Sequence, residues 1–323
     1  IGGLCKKGGY IQAIGTWARD GGAGPDDLFV AITSEGECII YSGIDPSSAT
    51  AWNLVGVFGI GKPIGRRCLE KSGSDITVIT QDGAISLSTF LPIDQVAGLS
   101  QAMSTNIQNE FLKSARSYSD VFGWQSINYP QGSYSLFNIP KTALESDQYV
   151  INTQTGAWCK FTGQNAACWS LFNGDLYFGA QTGGVVFKAD TNSSDNDGDI
   201  NWKIRPAFSY YGSRGNKKLF TMCRPNITTN TVLEYAVDLN LNFSDINPTT
   251  VPTPLELTVA VWDQSKWDSA DWSDKAVTQA WVTVFGMGEC ASPTIRGSTN
   301  SPNESVVLSF TAYDMIWQQG GSL

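Results

Sequence analysis

The side chains able to do chemistry here are carboxylates, a local basic cluster, three regularly spaced tryptophans and one aspartate-rich run. There is no histidine among the 323 residues. That removes the usual general base, histidine-based triads and most catalytic zinc or iron sites. Two-acid glycan cleavage needs no histidine and remains open. The one passage resembling an acid-bearing turn motif, TQTGAW, carries Thr155 where a carboxylate would be wanted. In SSDNDGD, Asp195, Asp197 and Asp199 surround Gly198 and look superficially like a calcium loop. An EF-hand needs a bidentate Glu at its twelfth position, and counting from Ser193 that position is Ile204. A polar turn between domains accounts for the run, so no metal, no cofactor and no catalytic residue is expected.

Two patterns point to binding instead. Segment 205–224 gathers Arg205, Arg214, Lys217, Lys218 and Arg224 around several aromatics. Such a patch in an acidic chain could meet an acidic partner or a phosphate backbone. Lysines guarding a strand edge explain the same residues. Farther on, VWDQSKWDSADW spaces Trp262, Trp267 and Trp272 five apart, which matches neither a strand nor a helix face. These read as a loop whose aromatics either anchor inward or form a protein interface. The eight residues are the candidates for an interface or a DNA-channel wall.

What must position them is a series of short strands. Tyr10–Ala18, Leu28–Thr33, Cys38–Ser42 and Leu54–Ile60 are apolar, rich in aromatic and β-branched residues, and separated by turns. A second unit starts at Cys68 (CLEKSGSDITVITQDGAISLS), a third spans Gly123–Gly163, and a fourth covers Ala166–Asp190. Ile200–Ile204 could close the fourth unit or belong to the C-terminal domain. Repeated β-meanders of 40–50 residues are the signature of propeller blades; a stacked sandwich is the alternative. Between the second and third units Val96, Leu99, Met103, Ile107, Phe111 and Ala115 recur every three or four residues, predicting one inserted helix over about 95–118 with Asp94 as its cap. Ile1 is not a methionine and no signal-like run comes after it, so blades upstream of residue 1 are expected to complete the ring. The boundaries predicted are a propeller-like domain at 1–190, a linker at 191–199, and a sandwich-like β domain at 200–323. The class is all-β.

Charge and cysteine usage narrow the partners. A net charge of −9 argues against coating nucleic acid, which requires Lys and Arg to neutralise phosphates. The seven cysteines include no Cys-x-x-Cys, which fits neither a disulfide framework nor a zinc site. Cys38, Cys68, Cys159 and Cys168 sit within apolar strands and are expected to be buried. No apolar run is long enough to span a bilayer as a helix.

Several passages together resemble a family of tailed-phage virion proteins. They are NTQTGAWCKFTG with CWSLFNGDLYFGAQTGGVVFKADT, then FSYYGSRGNKKLFTMCRP, VWDQSKWDSADW, and upstream IGRRCLEKSGSDITVITQDGAISLS. The family is the packaged-DNA stabilisation or tail accessory (hub, nozzle) proteins of short-tailed bacteriophages. The resemblance implies a non-enzymatic structural protein in the virion tail, assembled in the host cytoplasm. It would form a ring with itself, a hexamer by the family pattern, below the portal and adaptor. Its neighbours there would be other tail proteins such as fibre, spike or needle. Double-stranded DNA would be retained and then pass without sequence-specific binding, which an acidic lumen favours by repulsion. A propeller that binds or cleaves glycans as a receptor-recognition protein is the alternative, and a cellular propeller scaffold is a third.

Overall fold

The computed structural model describes residues 3–18, 27–48, 50–90, 102–230, 233–245, 253–254, 276–278, 280–302 and 305–320. The protein is all-β, and it divides into two compact units, Ile1–Asp190 and Thr191–Leu323.

The first unit is four consecutive antiparallel meanders. The first comprises β1 (Ile11–Ala18), β2 (Asp27–Thr33), β3 (Glu37–Gly43) and β4 (Trp52–Gly59), and the second β5 (Leu69–Ser72), β6 (Asp75–Thr80) and β7 (Gly83–Ser86). The third comprises β8 (Gln125–Tyr129), β9 (Tyr134–Pro140), β10 (Ser146–Asn152) and β11 (Trp158–Phe161). The last is β12 (Ala166–Phe172), β13 (Asp175–Ala180) and β14 (Val186–Lys188). Each sheet is built in sequence order, so turn chemistry sets the pairing. Gly36 shows why: at φ 81° it turns β2 into β3, and a Cβ there would lie 2.3 Å from the Gly61 carbonyl oxygen.

The sheets stack face to face, as propeller blades do. Val30 and Ile32 of β2 and Cys38 and Ile40 of β3 meet Ile76 and Val78 of β6. The opposite face of β6 sends Ile79 toward Phe137 and Ile139 of β9 and Tyr149 and Ile151 of β10. Leu136 and Val150, from the other face of that third sheet, pack on Trp169 and Leu176 of the fourth. Packing on both faces explains why β6, β9 and β10 are almost continuously buried rather than buried at alternate residues. A buried polar knot fastens the third sheet to the fourth: the Asn138 amide donates to the carbonyls of Gly123 and Ala166 at 2.9 and 3.0 Å. Its Oδ1 accepts from Gln148 and from the Trp169 indole at 2.9 and 3.0 Å.

The expected helix is present in part. A short α1 (Leu87–Phe90) comes after β7; a 3-10 turn at Met103–Ile107 then leads directly into α2 (Gln108–Tyr118). Phe111 and Ala115 are fully buried between the second and third sheets, with Met103 and Ile107 packed beside them. The expected stretch 95–101 and its cap Asp94 lie outside the described residues.

The second unit is a sandwich. One sheet orders β15 (Ile200–Ile204), β21 (Ala291–Thr299), β17 (Glu234–Leu241) and β18 (Thr253–Pro254). The other holds β19 (Ala276–Thr278), β16 (Lys218–Thr229) and β20 (Val282–Gly288), with β22 (Leu308–Gln319) paired to β16. Cys223, Ile227, Leu233, Tyr235, Val237, Val284 and Ile295 form its core. β15 pairs with β21, so Ile200–Ile204 belongs here and not to the fourth meander. Pro225 is tolerated inside β16 because the ladder on one side runs to Cys223–Val282 and resumes at Ile227–Thr278.

Residues 191–199, expected as a linker, open the second unit, where Ser193 bridges Ser301 and the Asn192 amide donates to the Pro302 carbonyl at 2.9 Å. The expected burial of the four strand cysteines needs correction. Cys159 is exposed, because it lies on the edge strand β11; Cys168 is half-buried, while Cys38 and Cys68 are buried as expected. All seven thiols are free. Burial pushes the Cys38 thiol up to about 12 and the Cys68 thiol up to about 11.

Candidate functional site

The first strands of the four meanders converge. β1 touches β5, β5 touches β8, and β8 touches β12, so this edge carries a seam that runs through all four sheets. Polar side chains stitch it. The Gln12 amide reaches the Gly65 carbonyl at 2.6 Å, and Arg67 donates to Gln125 Oε1 at 3.1 Å. Gln125 then exchanges two hydrogen bonds with the Trp169 backbone, at 2.8 and 3.0 Å. Two small-residue features permit the approach. Gly15 leaves room for Leu69, whose Cδ2 would lie 3.1 Å from any added Cβ. Gly65, at φ 73°, turns the chain into the Arg66–Arg67 pair with Trp124 so close that a Cβ would sit 2.8 Å from it.

A cavity of 380 Å³ opens on this seam, lined by polar Arg66, Arg67, Glu70, Gln125 and Ser126 over Leu69 and the start of β1. A second hollow of 180 Å³ shares Arg66 and Arg67 and reaches Asp120 and Phe122. Arg67 lies 5.7 Å from the Phe122 ring centroid and also donates to the Ala167 carbonyl. Neither arginine forms an ion pair with a described residue. Ser126 is 2% exposed, yet its hydroxyl has no hydrogen-bond partner. Glu70 accepts from the Asn128 backbone N–H at 3.4 Å, and burial raises its carboxyl above the ordinary value.

The residues singled out from sequence are arranged differently. Arg205 is ion-paired with Asp245. Arg224 donates twice to Asp314, at 3.0 and 2.7 Å, and lies over the Trp281 ring at 4.8 Å. Lys218 corrects the reading of an open basic patch: its side chain is fully buried, and its ammonium donates to the carbonyls of Ser213, Asn216 and Glu289. Three carbonyls saturate its three donors, which makes it a clasp for the loop preceding β16. Arg214 sits over the Tyr210 ring at 5.2 Å, and Lys217 is exposed; of the five cations these two keep an exposed charge without a described carboxylate partner. Trp262, Trp267 and Trp272 lie outside the described residues.

The aspartate-rich run forms a tight turn, with Asp195 and Gly198 exchanging backbone hydrogen bonds at 2.9 and 2.8 Å. Asn300 ties it down by donating to Asp197 O and Asp199 Oδ1. Among the described residues no group of three or more His, Cys, Asp or Glu is placed to hold a metal ion. No described helix is long and apolar enough to cross a membrane.

Arg66, Arg67 and Ser126 were not singled out by residue type. The available signal was the doubled arginine after a glycine and just before the first strand of a meander, in IGRRCLEKS. No protein-family profile matches the chain, and no curated protein sequence matches it. One similar solved structure is a glycoside hydrolase family 43 arabinoxylan arabinofuranohydrolase from Bacillus subtilis, in complex with cellotetraose. It aligns over 95% of this chain and 78% of that chain, at 10% identity and a TM-score of 0.23. Agreement that low carries no argument about activity.

Proposed function

We propose that the chain is a structural virion protein: a ring-forming tail hub or nozzle that extends the portal–adaptor channel, retains packaged DNA and releases it on infection. The observation that carries this reading is the set of large apolar side chains left exposed on the first and last sheets. Ile14, which also borders the cavity on the converging strands, and Leu54 are 62% and 42% exposed on the first sheet; Phe172 and Val186 are 73% and 68% exposed on the last. Sheets that end on large exposed apolar side chains favour further packing, as interaction surfaces do. The sequence passages that resemble phage tail accessory proteins and the net charge of −9 agree with a channel wall that does not hold DNA tightly. Native mass spectrometry of the chain released from purified particles tests the proposal. A closed ring of one fixed copy number, six by the family pattern, is the expected result; a monomer, or absence from the particles, overturns it.

A receptor-recognition propeller is the second reading, favoured by the cavity on the converging strands. Cleavage by a carboxylate pair requires two acids within about 5–10 Å of each other, and Glu70 is the single carboxylate among the residues lining that cavity. Glycan binding is therefore the form of this reading that the geometry supports. Release of reducing sugar from bacterial surface polysaccharide would decide for cleavage.

A further inference from the structure

We infer that the cavity where the first strands of the meanders converge is a binding site for a phosphate group, held by Arg66, Arg67 and the Ser126 hydroxyl. This inference does not depend on the tail reading. Three observations coincide there. Two adjacent guanidinium groups line the same 380 Å³ space, and neither has a described carboxylate partner. In a chain with nine more acidic than basic residues, counter-charges are plentiful, so two unpaired neighbouring arginines are a placed feature. The third observation is the orphaned hydroxyl. Ser126 is 2% exposed and its Oγ bonds to nothing, while it lines that cavity. A buried polar atom without a partner costs about 1–3 kcal/mol, and a ligand oxygen in the cavity is a partner that would remove the cost.

The donors also select the ligand. Guanidinium forks bind oxyanions through paired N–H groups, and Ser126 adds an O–H donor from β8, whereas the arginines come from the turn before β5. Donors arriving from several directions suit a tetrahedral group better than a planar carboxylate. Most of Arg67 is already oriented: the bond to Gln125 Oε1 and the Phe122 ring fix its plane before any ligand arrives. Glu70 and Asp120 are the acidic groups facing the two hollows, and neither is within ion-pair distance of Arg66 or Arg67. The cavity exceeds the size of inorganic phosphate, so a phosphate monoester with a small organic part fits the space better than the free ion.

Isothermal titration calorimetry of the full chain with inorganic phosphate and, separately, glycerol 3-phosphate is the test, run at constant ionic strength. Saturable binding of one equivalent is expected, tighter for the monoester. Arg66→Gln should weaken it at least tenfold, and Ser126→Ala several-fold. Arg66 is exposed and its side chain holds no described neighbour in place, so its variant should fold; an unchanged thermal transition checks this. The variant Lys217→Gln, an exposed cation on the other unit, should bind like the wild type. Absence of saturable binding, equal loss in Arg66→Gln and Lys217→Gln, or binding that Arg66→Gln leaves intact each overturns the inference. If inorganic phosphate binds as tightly as the monoester, the site reads the phosphate alone and the assignment of an organic part is wrong.

Discussion

The two basic runs of this protein have nearly opposite fates. In 205–224, five cations look like a patch in the sequence, yet the fold neutralises most of them: Arg205 on Asp245, Arg224 on Asp314, Lys218 inside a cage of three carbonyls. In the shorter run at 66–67, both arginines border a cavity and neither is ion-paired with a described carboxylate. Density of charge in sequence therefore misleads about availability of charge in the fold. A long basic segment crosses strands and loops, where acids on partner strands find it, as Asp314 on β22 finds Arg224 across the ladder. A basic pair just before the first strand of a meander lies on the converging edge, whose neighbours β1 and β8 present Ala13, Gln125 and Ser126 rather than acids.

The sharpest way to break the comparison is at Lys218. If it is structural, Lys218→Met should destabilise the second unit by about 3 kcal/mol, because the buried ammonium is lost and three part-buried carbonyls lose a charged donor. Urea denaturation followed by tryptophan fluorescence would measure it. A change under about 0.5 kcal/mol would return Lys218 to the pool of available cations. The next effect is smaller. Arg224→Gln removes a half-exposed pair and its stacking on Trp281, and should cost about 0.5–1 kcal/mol, less in 1 M salt. Arg66→Gln should leave stability within about 0.5 kcal/mol. The ranking Lys218, Arg224, Arg66 in stability is the reverse of their predicted ranking in anion binding.

The architecture was largely legible because its signals are local. Turn glycines such as Gly36 and Gly83, both at positive φ, separate runs such as LFVAIT and ITVIT whose partners are their immediate neighbours, so reading the meanders needed no long-range information. The stripe of Phe111 and Ala115 gave the helix for the same reason. The sandwich was harder: β16 pairs with β22 some ninety residues away, from Lys218–Gln319 to Thr229–Leu308, and its interior Pro225 argues against a strand until the break in the neighbouring ladder is seen. The site was not legible. Its members come from the residues before β5 and from β8, and what marks them is the absence of partners, which residue order does not encode. Cys159 failed for a related reason, since an apolar strand at a sheet edge looks like one in the middle.

The smallest expected effect tests whether the converging edge is electrostatically tuned. Burial raises the Glu70 carboxyl above its ordinary 4.5, so the folded chain binds this proton more tightly than the unfolded chain does. Stability from this group is then present at low pH and declines as pH rises from the unfolded value through the raised folded one. Glu70→Gln removes the ionisation and should stabilise the first unit at pH 7, with the gain vanishing below pH 4. The same substitution takes away the one negative charge among the described lining residues of the 380 Å³ cavity, so phosphate affinity at pH 7 should rise, whereas at pH 4 it should match the wild type. A matching substitution in the other basic region, Asp314→Asn, frees Arg224 by removing its partner. If availability of charge is what separates the regions, Asp314→Asn should create weak, salt-sensitive phosphate binding on β16. It should do so without the one-to-one saturation expected at Arg66, because it would offer a single guanidinium on a strand rather than two bordering one cavity.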